Sequence, residues 1–187
     1  MPIQVAGRRR SAKTLSRESP RALIIDVTSR APDPWVRLSP FYPHGGIPVP
    51  RSPCVTSQSV EGIWQALKVF ESTGVDPSRL VNTRMTGIKR TVRKYGPVLG
   101  HRDGLHGERL LPYETARRLI YLPAYRWVLE HHAADLIERL RALADEQDVV
   151  LLDHTTNGDV TDPSSPLSHA ALVRLHVEGR WPAERPP

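Results

Sequence analysis

The sequence has a single cysteine, Cys54, so no disulfide can close within the chain. With no second cysteine nearby it is poor material for a zinc site, and the usage fits a reducing cytoplasm. No apolar run approaches the roughly 20 residues that a membrane-spanning helix needs. The basic N-terminus is not followed by the apolar core of a secretory signal. A cytoplasmic protein with no membrane partner is therefore expected. Also missing are a Walker loop, a G-x-G-x-x-G turn, an H-E-x-x-H helix and paired-cysteine zinc spacing. His44-Gly45-Gly46 looks like a lipase oxyanion loop, but no G-x-S-x-G follows, and the serine-hydrolase reading fails. Neither a metal nor a cofactor is expected. Internal repeats and long low-complexity stretches are absent as well.

A large charge imbalance is missing from most of the chain. The net charge is +6, and residues 1–21 carry most of it: Arg8, Arg9, Arg10, Lys13, Arg17 and Arg21 against Glu18. The remaining residues are nearly neutral, so the high isoelectric point belongs to a terminal segment and does not indicate a DNA reader. What is present suits a globular fold: 187 residues, 39% hydrophobic and 25% charged, enough for one domain with a sizeable core. The expected layout is a basic, disordered tail over 1–21, one domain over 22–181 and a flexible end over 182–187.

Ala22 to Val27 and Val149 to Asp153 are short runs of branched apolar residues and read as strands, the second buried and delivering Asp153 to its end. Residues 31–53, rich in proline and containing Gly45-Gly46, read as an ordered loop. Val60, Ile63, Trp64, Leu67 and Phe70 recur at helical spacing from a cap at Ser57 or Ser59, and that helix is expected to fray near Gly74. Asp76-Pro77 reads as another helix start. A basic, glycine-punctuated segment spans 84–109. Pro112 opens a helical stretch to about Tyr121, Pro123 a long amphipathic helix ending before Val149, and Pro166 a last helix to about Val177. The reading is an α+β, helix-rich single domain with a few short strands.

On the central helix Glu61, Gln65 and Lys68 align on a side next to the apolar one. An acid, an amide and a cation in one row serve either as the wall of a small-molecule pocket or as a solvated face. Tyr125 and Trp127 stand where large aromatics are usually core. His131 and His132 are adjacent, about 100° apart around a helix, and cannot share a metal. The polar stretch from His154 to Asp162 lies after a strand, where loops commonly carry chemistry. Its aspartates are either catalytic or turn formers.

Glu61-Gly62-Ile63-Trp64-Gln65-Ala66-Leu67-Lys68-Val69 resembles the E-H-Y-F-Q-A-x-K-F signature of the NADAR (YbiA-like) superfamily. Upstream, Leu38-Ser39-Pro40-Phe41-Tyr42-Pro43 resembles its L-S-N-F-Y-P segment. The order and separation of the two blocks agree, and the similarity would cover roughly residues 35–181. The resemblance implies the NADAR fold and cleavage of an N-glycosidic bond in an ADP-ribose-like or related nucleotide, free or attached to nucleic acid or protein. The alternative is a module that binds such a ligand without turnover.

By that resemblance Glu61 is the principal carboxylate, facing the positive charge that develops on the ribose ring, with Asp159 or Asp162 as partner. Lys68 and the basic segment, Arg102 included, would hold phosphates. Gln65 would orient a hydroxyl or water, and Asp153 and Asn157 would contact ribose. Phe41, Tyr42 or Trp64 would pack the base or ribose beside His44 and Gly45. The chain departs from the pattern at Gly62 (histidine in the family), Trp64, Pro40 (asparagine) and in lacking a Trp-Gly pair after the aspartates. A glycine inside a helix costs about 1 kcal/mol, which suggests a close approach to its backbone.

Overall fold

A computed structural model describes residues 3–10, 17–18 and 20–185. The α+β class holds. Along the chain run β1 (Ile3–Gly7), β2 (Leu23–Asp26), β3 (Ile47–Pro48), β4 (Thr56–Ser57), α1 (Val60–Leu67), β5 (Lys68–Phe70), α2 (Val92–Tyr95), β6 (Val98–Arg102), β7 (Leu110–Leu111) and α3 (Tyr113–Ala116). A π-helical turn (Arg117–Tyr121) leads into α4 (Leu122–His131), then α5 (Ala134–Glu146), β8 (Val149–Asp153) and α6 (His169–Val177). Two compact units result, one of residues 1–39 and 129–182, the other of 40–128 and 183–187. Among the described residues no helix is long and apolar enough to cross a membrane.

The first unit is built on a parallel sheet with β8 between β1 and β2; Leu151 is the partner of Val5 on one side and Ile25 on the other. A strand paired on both edges and covered on both faces reads as a continuous apolar run, as Val149-Val150-Leu151-Leu152 does. Helices α5 and α6 supply Leu136, Ile137, Leu140, Ala170, Leu172 and Val173 to the core.

Several expectations need correction here. The segment 1–21 does not begin as a disordered tail: Ile3–Gly7 is an edge strand of this sheet, and its basic neighbours are engaged. Arg8 Nε donates to Asp26 Oδ2 at 2.7 Å, and Arg10 pairs with Glu18. Charge hid a five-residue strand that only pairing with β8 stabilises. The parts of that segment at 1–2, 11–16 and 19, and the end at 186–187, lie outside the described residues. At the other terminus the Ala183 carbonyl accepts from Arg118, and Glu184 pairs with Arg126. The long helix expected from Pro123 divides at His132 and Ala133, where Arg37 donates to the His132 carbonyl and to Asp135. His131 is exposed and His132 half-buried. The last helix starts at His169, capped by Ser168, rather than at Pro166.

In the second unit the antiparallel sheet β5-β6-β7 follows α1 directly. The predicted helix stops at Leu67, three residues short of Phe70, because Lys68 turns extended (φ −69°, ψ 131°). Arg90 accounts for the stop. Its guanidinium takes the carbonyls of Gln65 (3.2 Å), Lys68 (2.6 Å) and Gly74 (2.7 Å), satisfying acceptors that another helical turn would otherwise need. Asp76 caps a short 3-10 turn at Pro77–Arg79, as its sequence suggests. The helical path from Tyr113 to His131 is continuous through Pro123. The preceding turn is widened, with the Leu122 amide donating to the Arg117 carbonyl, and a proline ring is accommodated after such a turn.

Candidate functional site

Every residue of α1 is buried, so Glu61 and Gln65 do not form a solvated face. Ser59 caps the helix, its hydroxyl accepting from the Gly62 amide at 3.0 Å. The Glu61 amide donates to the Pro40 carbonyl at 2.8 Å, which joins the two sequence blocks at the acidic residue itself. Gly62 is explained by its surroundings. A Cβ there would lie 2.7 Å from the Arg79 carbonyl oxygen and about as close to two serine hydroxyls (3.0 and 3.1 Å). Backbone occupies the space a histidine would need. Gly62→Ala is therefore expected to destabilise by about 1–3 kcal/mol, and Gly62→His, restoring the residue of the resembled motif, to fail to fold. Urea denaturation of the alanine variant checks this; an unchanged midpoint would contradict the packing argument.

Glu61 Oε1 accepts from Gln65 Nε2 at 2.8 Å, and Gln65 Oε1 accepts from the Arg90 amide at 2.9 Å. Gln65 is thus held at both ends and orients the carboxyl group. Burial pushes the Glu61 pKa up, against the Gln65 hydrogen bond and the charges of Lys89 and Lys68. Burial likewise pushes Lys68 down, opposed by Glu61 and assisted by Lys89 and Arg90. Lys68 stands at the start of β5, its ammonium 5.9 Å from the Trp64 ring centroid. Lys89, exposed, lies 5.3 Å from the centroid of Phe41. Phe41, Glu61, Trp64, Gln65, Lys68 and Lys89 thus form one linked group.

The register of the sheet brings His101 opposite Lys68. Its ring is fully buried and stacked on Trp64, centroids 3.7 Å apart, and neither ring nitrogen has a hydrogen-bond partner. Burial, helped by Lys68, lowers its pKa to about 3, so the imidazole is neutral. An unsatisfied buried polar atom costs about 1–3 kcal/mol. Tyr113 and Tyr121 meet the edge of Trp64 at 5.8 and 5.7 Å, and the buried Arg117 lies 4.4 Å from the Tyr113 ring centroid. Sequence reasoning passed over Tyr113, Arg117 and Tyr121, although their four-residue spacing was a readable helical row. His101 lies in the basic segment expected to hold phosphates, but its place opposite Lys68 had no local signal, since cross-strand register is not local.

The other expected residues have local duties. Tyr42 and His44 pack on each other, ring centroids 4.7 Å apart, and the Gly45 amide donates to the Gln58 carbonyl at a φ of +78°. Arg102 donates to the Glu108 carbonyl and closes the β6–β7 hairpin. Arg109 pairs with Asp103. The basic segment is therefore not one phosphate wall, and Lys89 is its member at Glu61.

The late loop belongs to the first unit. Asn157 Oδ1 accepts from the Asp159 amide, while its Nδ2 donates to the Asp162 and Ser165 carbonyls. Asp159 Oδ1 accepts from the amide and hydroxyl of Thr161, and Asp162 Oδ1 accepts from the Ser164 amide. These are the hydrogen bonds of turns. Asp153, expected to reach ribose, is instead buried. Its Oδ2 accepts from the Ser168 hydroxyl (2.7 Å) and the Ala170 amide (3.3 Å) and lies 3.0 Å from His169 Nδ1. His169 Nε2 is 2.8 Å from the Val27 carbonyl, so both ring nitrogens face acceptors, an arrangement that favours the protonated ring. Burial would lower the His169 pKa, but the charge and hydrogen bond of Asp153, the Val27 carbonyl and Asp26 raise it. Serine, histidine and aspartate meet here, yet serine bonds to aspartate and the distal nitrogen is occupied.

A hollow of about 320 Å³ in the first unit is lined by Ile3, Arg141, Ala144, Asp145, Val177 and Glu178, none of them expected site residues. Among the described residues no group of three or more histidine, cysteine, aspartate or glutamate side chains is placed to hold a metal. A family model described as a family of unknown function (DUF6939) matches residues 7–173. No curated protein matches the chain.

Proposed function

The chain belongs to the DUF6939 family, and for it we propose metal-independent hydrolysis of an N-glycosidic bond in an ADP-ribose-like or related nucleotide, centred on Glu61. The observation that carries this reading is the Glu61–Lys68–His101 group, three neighbouring ionisable side chains that burial displaces toward their neutral forms. Such displacement concentrates where chemistry is done. A carboxyl group with a raised pKa can hold a proton for a leaving group and then, once ionised, stabilise the cationic character of the ribose ring. Gln65 keeps the carboxyl oriented through the step. Lys68 and Lys89 offer positive charge to phosphate oxygens, and Phe41 and Trp64 supply flat apolar surface. The meeting of the two resembled blocks at the Pro40–Glu61 hydrogen bond adds support.

One observation favours a second reading, a module that binds the same ligands without turnover. Asp159 and Asp162 serve as turn acceptors, leaving the role of second acid unassigned. Incubating the purified protein with ADP-ribosylated nucleotide or nucleic acid, followed by chromatography, separates the two. Release of free ADP-ribose, retained in Asp159→Asn and Asp162→Asn, is the expected result with Glu61 as principal acid. Calorimetric binding without release would establish the module instead. Absence of both would remove the nucleotide reading altogether.

A further inference from the structure

We infer that Trp64, His101 and Tyr113 form a subsite for a neutral planar heterocycle, a nucleobase, in which the His101 imidazole fixes the orientation of the ring by a hydrogen bond. The inference rests on the nucleotide reading of the adjoining Glu61–Lys68 wall and names the part of the ligand this side would take.

Three features of geometry carry it. His101 is fully buried with both ring nitrogens lacking a hydrogen-bond partner, an arrangement that buried polar side chains rarely keep without a functional reason. It sits among aromatic rings, one face covered by Trp64 at 3.7 Å and Tyr113 at 6.5 Å between centroids, surroundings that suit a flat, weakly polar partner at the ring edge. Tyr113 is the member of the trio most open to solvent, at 37% exposure, while His101 has no exposed surface, so entry of a base requires the Tyr113 ring to swing aside. Opposite His101 in the sheet stands Lys68, so a base held at the histidine leaves its sugar and phosphates on the side of the cation and of Glu61.

The protonation state narrows the partner. With its pKa lowered to about 3, the imidazole carries one N–H and one bare nitrogen across the physiological range. It can donate to a ring nitrogen or accept from an exocyclic amine, both of which a nucleobase presents. It is unsuited to shuttling protons at neutral pH, so its role is positioning. A base-free sugar phosphate would use only the Glu61–Lys68 side.

The test titrates the full-length protein, labelled with 15N-histidine, with AMP and with ribose 5-phosphate. The His101 ring signals, identified by their loss in His101→Phe, are expected to move with AMP and to stay in place with ribose 5-phosphate. Phenylalanine can keep the stack on Trp64 while removing the two unpartnered nitrogens, at the cost of one extra ring atom, and its unfolding midpoint checks that the fold persists. That variant is expected to bind ribose 5-phosphate as the wild type does and AMP at least tenfold more weakly. His101→Asn, which restores a donor and an acceptor, should recover part of the loss. Tyr113→Ala, at an exposed position, should weaken AMP alone. Stationary His101 signals in an AMP-saturated protein, or equal weakening of both ligands, would overturn the inference while leaving the nucleotide reading in place. Binding of neither compound would remove both.

Discussion

Replacing Asp153 by alanine is expected to destabilise the protein by about 3–5 kcal/mol, the usual consequence of removing one partner of a buried ion pair. Asp153 ends the central strand of the parallel sheet. Its carboxylate gathers the His154 amide, the Ser168 hydroxyl, the Ala170 amide and the His169 ring, tying β8 to the first turn of α6. Alanine leaves an imidazolium and several donors without an acceptor. The dependence on pH separates this from a simple packing loss. Burial would raise the Asp153 pKa, but the His169 charge and the hydrogen bonds hold it at about 2. Its stabilisation is therefore present above the unfolded value of 3.8 and lost as the pH falls toward 2. His169 is raised above 6.5, so its contribution is complete below 6.5 and disappears as the pH rises through the folded value. Asp26, itself paired with Arg8, is the other charge acting on the ring. Urea unfolding of the wild type between pH 5 and 9 should show stability declining on the alkaline side, and Asp153→Asn should flatten that decline. A loss below about 0.5 kcal/mol for the alanine variant would place it among ordinary surface changes and refute the account.

Under the proposed hydrolysis, Glu61→Gln should abolish most turnover, by a factor of about 10²–10⁴ if the group acts as general acid, while making the protein more stable. The two signs together are the signature of a group kept at a cost. Glutamine has the same shape, and its carbonyl oxygen can still accept from Gln65 Nε2, so the helix is undisturbed. The carboxyl group is buried, and its folded pKa lies above the ordinary 4.5. Between those two values the unfolded chain has released a proton that the folded one retains. Stability therefore falls as the pH rises through that window, and the penalty is complete above it. Lys68 and Lys89 offset part of it. Thermal unfolding at pH 7 should show the glutamine variant melting above the wild type, with the difference narrowing toward pH 4. A destabilised variant would mean that Glu61 holds the fold together through its charge, and undiminished turnover would exclude it from the chemistry.

Asp153 and Glu61 were visible in the sequence to different degrees. Strand β8 was evident as an apolar run, Asp76 as a cap and the helix start at Ser57 or Ser59, a choice the structure makes for Ser59, and the α+β class followed from such segments. All of these are local, since each depends on residues within one or two turns of each other. The pairing of Asp153 with His169 joins positions sixteen residues apart through a loop that reads as catalytic. The acid at Glu61 could be proposed from its place in a motif. Its burial, and the orientation imposed by Gln65 and Arg90, could not.

Periodicity, capping and composition were enough to establish the kinds of elements, the neutral body of the chain and the row of Glu61 and Gln65 on one helix. Where β1 pairs, why α1 ends at Leu67, what excludes a side chain at Gly62 and which histidine stands at Lys68 came from contacts distant in sequence. Those contacts depend on strand register and on a guanidinium reaching backbone carbonyls, and neither leaves a pattern among neighbouring residues.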